Sequence, residues 1–104
     1  MKPQIAAPGG HVLSTWPLGV LGSYCILSGT SMATPYLAAS HSLVKSQFPT
    51  ATIEQIKDKL QTNASPVLWV YNTAILSATA QQGAGPVNAY NAVFPRARLR
   101  QGSF

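Results

Sequence analysis

The hydrophobic pattern changes period twice along the chain. Residues 3–10, PQIAAPGG, are a short apolar run stopped by Pro8, Gly9 and Gly10, which predicts a strand. Two more short runs, HVLSTWP (11–17) and SYCILSG (23–29), predict strands joined by the glycine-containing loop LGVLG. From Ser31 to about Gln47 the chain has no acidic residue, is rich in Ala, Leu and Met, and meets its first charge only at Lys45. That composition predicts a helix. A helix so bare on nearly all sides belongs inside a domain. Pro35 fits near its start, because the first turn has N–H groups without internal partners, so the helix begins within a few residues of Ser31.

A different pattern occupies FPTATIEQIKDKLQTNA (48–64). Thr52 with Gln55 three positions later forms a capping box. Ile53, Ile56 and Leu60 then line one face, with Glu54, Lys57 and Asp58 turned mostly away, predicting a surface helix with one buried stripe. SPVLWVYN (65–72) reads as a strand or extended loop. QQGAGPVNAYNAVF (81–94) reads as a tight glycine turn into a short last helix, with Pro86 suited to its first turn. No internal repeat is present.

Composition narrows the class. A chain of 104 residues with 46% hydrophobic positions suits one folded domain, or part of one. Only 9% of residues are charged, against roughly 25% in ordinary soluble domains. The shortage predicts a surface covered by other protein. The net charge of +5 does not mark a nucleic-acid reader: Arg96, Arg98 and Arg100 sit in the end segment PRARLR, and Lys45, Lys57 and Lys59 lie on or just after helices. Cys25 stands alone in an apolar setting and reads as a buried, inert thiol with no disulfide or metal spacing. KPQIAAPGG after Met1 has no continuous apolar core, so a signal peptide is not expected, and no apolar run reaches the roughly 18 residues of a membrane span.

The chemistry concentrates in LSGTSMATPYLA (27–38). Ser31 at a helix start has two readings. As an N-cap, it would accept a backbone hydrogen bond and do nothing more. As a nucleophile, it would draw on the unpaired N–H groups and positive dipole end to stabilise an oxyanion.

GTSMATP, Gly29 to Pro35, resembles the nucleophile motif of the subtilisin-like serine proteases, the subtilases. The resemblance covers about residues 2–94: KPQIAAPGG is similar to the stretch before the serine, QFPTATIEQIKDKL to the helix after the serine helix, and QQGAGPVNAYNAV to the closing turn and helix. It implies a partial α/β fold, the C-terminal portion of a three-layer domain with a mainly parallel sheet and the serine helix through its middle. It implies residues 1–95 as the C-terminal part of a catalytic domain, and 96–104 as a basic tail or the start of a following segment. By the same resemblance Ser31 is the catalytic nucleophile, with its N–H forming half of the oxyanion hole. Gly29, Thr30, Met32, Ala33 and Thr34 support the motif, and Pro35 sits in the first turn. The implied partner is a polypeptide substrate, with no nucleic acid or membrane, and an intact parent is expected to be extracellular. Three departures stand out: Ala39 where the family usually has Gly, Ser40 where a small apolar residue is common, and Gln4 where an Asp in some members helps to hold a cation. No calcium site or other cofactor site is visible in the chain.

A serine hydroxyl needs a base within hydrogen-bond reach. Of the two histidines, His41 lies ten residues along the same helix, roughly 15 Å away along its axis, and cannot serve. His11 reads as a loop histidine, and Glu54 and Asp58 as solvated. The family's Asp, His and oxyanion Asn precede the serine motif by long stretches. The expectation is therefore a serine endopeptidase portion that is inactive alone and marginally stable, with exposed apolar patches. The alternative is a non-catalytic interaction module that pairs the strand edges at 12–16 or 23–27 with another chain.

Overall fold

The computed structural model describes residues 2–69 and 74–94. The tail with Arg96, Arg98 and Arg100, and residues 70–72 of the 65–72 segment, lie outside the described residues. Among the described residues seven elements occur in order: β1 (Val12–Thr15), α1 (Leu18–Leu21), β2 (Tyr24–Leu27), α2 (Thr30–Gln47), α3 (Ile53–Thr62), α4 (Thr79–Gln82) and α5 (Ala89–Val93). The result is a mixture of helices with one small sheet.

β1 and β2 pair antiparallel, with Val12 opposite Leu27 and Thr15 opposite Tyr24. Their connection contains a helical turn, α1, where the sequence predicted only a loop; Pro17 opens it and Gly22, at φ 84°, ends it. The strand predicted over 3–10 is reduced to a single parallel bridge, Ala6 to Pro86. Its N–H groups explain why: Ala6 donates to Gly85 and Val87 donates back to Ala6, while Pro3 and Pro8 on either side have no N–H to extend the ladder. Ile5 and Ala7, two apart and so on one side of this extended segment, pack on the core.

α2 reaches the core along one stripe. Leu37 and Val44, with Phe48 at the C-cap, meet Ile56 and Leu60 of α3, Ala92 of α5, and Val87. Tyr36 and Leu43 on other faces are exposed. The helix expected inside a domain is thus covered on one side only by the described residues. Ser40 is also buried, and its hydroxyl donates to the Tyr36 carbonyl at 2.9 Å, which satisfies the polar group. Ala39 is exposed, so its extra methyl meets no crowded contact among the described residues. At the other end, Lys45 Nζ donates to the carbonyls of Pro49 and Ala51 at 2.9 and 2.8 Å, binding the α2–α3 loop to the negative end of α2.

The capping box of α3 is formed: Gln55 N–H donates to Thr52 Oγ1, and Thr52 N–H donates to Gln55 Oε1 at 2.8 Å. Thr52→Ala is expected to lower stability by about 1 kcal/mol, read as a lower urea midpoint at unchanged slope. An unchanged midpoint would show that the cap does not hold α3. Ile56 and Leu60 are buried as the stripe required, but Ile53 is 72% exposed. It is the first residue of the helix, a turn short of the α2 and α5 surface. On the outer face Lys57 pairs with Glu54, and the hydrogen bond to that carboxylate holds its ammonium above the ordinary value. The pair is exposed, so it contributes little to stability.

The glycine turn forms at Gly83, φ 62°, where an added Cβ would lie 2.4 Å from the Gln4 carbonyl carbon. Pro86 lies outside the final helix, not in its first turn. Asn88 caps α5 instead, its side chain accepting from Asn91 N–H at 2.9 Å. α4 has no counterpart in the sequence expectations. Its last residue, Gln82, is buried and donates to the carbonyls of Ser77 and Val67 at 2.8 and 3.3 Å while accepting from Val67 N–H at 2.8 Å. That side chain reinforces a short antiparallel pairing, in which Leu68 bridges Leu76 and Ser77 N–H donates to the Val67 carbonyl at 2.9 Å.

Candidate functional site around Ser31

β2 ends at Leu27, and two residues later the chain enters α2. The N-cap of α2 is Gly29, without a side-chain cap bond. Ser31 is the second residue of the helix, so the capping reading of Ser31 does not hold. Its side chain is exposed. The N–H groups of Met32 and Ala33 both turn back to the Gly29 carbonyl, at 3.1 and 3.4 Å. Those of Thr30 and Ser31 have no intrahelical acceptor, as at any helix start. Two donors and the positive end of an 18-residue helix therefore stand beside the Ser31 hydroxyl.

Pro35 sits one turn deeper than expected. It is the sixth residue of α2, inside the helix rather than in its first turn. Without an N–H it cannot bond the carbonyl four residues back, and that carbonyl belongs to Ser31. Both backbone groups of Ser31 are thus free of the helix ladder. Thr34 Oγ1 donates to the Thr30 carbonyl at 2.9 Å and steadies the same turn. Met32 and Ala33 are half-buried, whereas Thr30 and Thr34 face solvent.

Beneath the turn lies the PGG segment. Gly29 N–H donates to the Gly9 carbonyl at 2.7 Å, and a Cβ on Gly9 would approach the Gly29 carbonyl oxygen to 2.7 Å and Ala33 Cβ to 3.1 Å. Only glycine permits that approach. Sequence reasoning took Gly9 as a strand stop and missed this contact; the signal available was a paired glycine ahead of a residue run that folds back onto the serine. His11 N–H donates to Ser28 Oγ at 2.8 Å.

Neither histidine ring hydrogen-bonds Ser31 among the described residues. His41 is half-buried on α2, three turns on, and His11 is exposed beside β1. Glu54 and Asp58 are exposed on α3. Gln4 uses its backbone carbonyl to accept from Ala84 N–H at 3.0 Å and Gln61 Nε2 at 3.1 Å, while its side-chain oxygen accepts from Lys2 Nζ at 3.3 Å. Cys25 is half-buried rather than buried, with Sγ 3.8 Å from the Ile26 carbonyl oxygen. No helix among the described residues is long and apolar enough to cross a membrane.

Known proteins resemble this chain over most of its length. The profile of the subtilase family matches residues 1–92. A subtilisin from Bacillus pumilus is 43% identical over 62 residues, covering 60% of this chain and 22% of its own length. A subtilisin-like protease from Arabidopsis thaliana is 36% identical over 105 residues, 91% of this chain and 13% of its own. The CO(2)-response secreted protease of Arabidopsis thaliana is 32% identical over 109 residues, again 91% of this chain and 14% of its own. The chain therefore spans less than a quarter of the length of each of these relatives. With a match over nearly the whole chain, residues 1–92, it belongs to the subtilase family of serine proteases.

Proposed function

We propose that this chain carries the nucleophile of a subtilisin-type endopeptidase, and that the nucleophile is Ser31. The observation that carries this reading is the exposed Ser31 hydroxyl at the second position of α2, beside N–H groups that the helix leaves free. Ser31 Oγ attacks the scissile carbonyl of a polypeptide while a base takes its proton. The carbonyl oxygen becomes an oxyanion, and the Ser31 N–H donates to it. Collapse breaks the C–N bond, the protonated base gives its proton to the leaving amine, and water then hydrolyses the acyl-enzyme. Gly29 and Thr30 shape the approach, and the run from Met32 to Pro35 seats the helix.

His41 is too far along α2 to be that base, and His11 is held at β1 with no bond to Ser31. The base, its orienting carboxylate and the second oxyanion donor come in this reading from polypeptide outside these 104 residues. With that polypeptide the architecture would be a three-layer α/β domain with α2 enclosed, and the 104 residues alone would be inactive. The exposed Tyr36 and Leu43 on α2 support this enclosure. An extracellular parent suits the name of one relative, a secreted protease.

A fluorophosphonate tests the assignment. The chain is joined to the N-terminal portion of the Bacillus pumilus subtilisin, and folding is checked by circular dichroism. The expected result is one phosphonyl group on Ser31 Oγ, with loss of fluoride, in the joined domain and none in the chain alone. A folded, peptide-cleaving domain labelled at another residue would sink the proposal.

A second reading rests on the β1–β2 ribbon. Leu13 and Ile26, opposite one another, are 65% and 59% exposed, and the outer edges of both strands are unpaired among the described residues. Such edges accept an added strand, so an interaction module that captures another chain is the competing function. A stable complex formed by the Ser31→Ala chain as well as by wild type, without any labelling, would favour it.

A further inference from the structure

The β1–β2 ladder slips by one residue just before the serine turn. Val12 faces Leu27, yet the next backbone bond joins Gly29 N–H to the Gly9 carbonyl at 2.7 Å. Three steps on one strand, 12 to 9, are matched by two on the other, 27 to 29. The slip falls at His11, whose φ of 51° is a left-handed value that a non-glycine residue seldom adopts. Its N–H does not meet a strand carbonyl; it donates to the Ser28 hydroxyl at 2.8 Å. An extra residue of this kind bends its strand and redirects the residues paired with it.

We propose that His11, through its left-handed backbone and its bond to Ser28, is a positioning residue for Ser31. The slip turns Gly29 out of the line of β2 and fixes where the first turn of α2 begins. Gly9 completes the device, because the clearance at the Gly29 carbonyl leaves no room for a Cβ. The role belongs to the backbone of His11, not to its imidazole. This inference rests on the reading of Ser31 as nucleophile.

The backbone origin makes an unusual demand: glycine should replace this histidine without loss, since glycine adopts positive φ freely. A β-branched residue should not. In the joined domain, His11→Gly is expected to label with fluorophosphonate within twofold of the wild-type rate. His11→Val is expected to label at least tenfold more slowly at saturating reagent, with the half-saturating concentration unchanged. A His11→Gly domain as slow as His11→Val would overturn the proposal by making the ring responsible, and a His11→Val domain at the wild-type rate would overturn it too. Amide exchange in the 104-residue chain gives a readout independent of the chemistry. Ser28→Ala is expected to speed exchange at Gly29 about tenfold, Ser28→Thr to restore it, and Val44, Ile56 and Leu60 to stay within twofold. Equal acceleration everywhere, or none at Gly29, would overturn the clamp. Should Ser31→Ala label like wild type, the reading of the nucleophile fails, and the exchange data show separately whether the clamp exists.

Discussion

Ser31→Ala is expected to lower kcat for peptide hydrolysis by the joined catalytic domain about 10⁶-fold, the magnitude established for the serine of subtilisin itself. The substitution removes only the Oγ. The free N–H at position 31, the Gly29 cap and the Pro35 break remain, because all three are backbone features of the first turns of α2. Whatever rate survives would therefore report oxyanion stabilisation and substrate binding without a nucleophile. KM is expected to change little, since a nucleophile's Oγ acts in the bond-making step rather than in holding the substrate. Steady-state kinetics on a chromogenic peptide decide it. A loss under a hundredfold would mean that another group attacks the carbonyl, and Ser31 would return to being an ordinary exposed serine on a helix start.

What the sequence made legible was what neighbours along the chain decide. The capping box at Thr52 and Gln55 closes within one turn, so its pattern was sufficient to find α3. The uncharged run after Ser31 located α2 within one residue at its start, and the apolar bursts located β1 and β2. What failed depended on distant partners. PQIAAPGG has strand-like residues, but with prolines on both sides of Ala6 it obtains only one bridge, to Pro86. Ile53 fits the apolar stripe of α3 by spacing, yet it is the first residue of that helix and stays mostly exposed among the described residues. Gln82 looked like a turn residue because two of its three hydrogen bonds run to Val67, fifteen residues away. The site divides in the same way. GTSMATP was enough to single out Ser31 as the candidate nucleophile, whereas the left-handed His11 and the close seat of Gly9 exist only because two segments some twenty residues apart meet.

Ile56→Ala should have the largest effect on stability. Among the described residues Ile56 and Val44 are the largest side chains that are fully enclosed, and Ile56 sits where α2, α3 and α5 come together. Truncation to alanine removes buried methyl and methylene groups and leaves a cavity, at a cost of about 2–5 kcal/mol. Folded domains of ordinary size hold about 5–15 kcal/mol in total. Here the enclosed hydrophobic cluster is only Val44, Ile56, Leu60, Val87 and Ala92 among the described residues, while Leu13, Tyr24, Ile26 and Leu43 face water. A chain that buries so little of its apolar surface belongs at the low end of that range, so the substitution should remove most of its cooperative unfolding transition. Urea denaturation followed by tryptophan fluorescence and by far-ultraviolet circular dichroism measures this. The same substitution in the joined domain should cost a similar free energy but leave a sharp transition, because α2 would then be held from its other faces as well. Were Ile56→Ala to cost under about 1 kcal/mol in the chain alone, well short of the cavity penalty, the three helices would not be meeting at Ile56, and the packing that seats the serine helix would have to lie elsewhere.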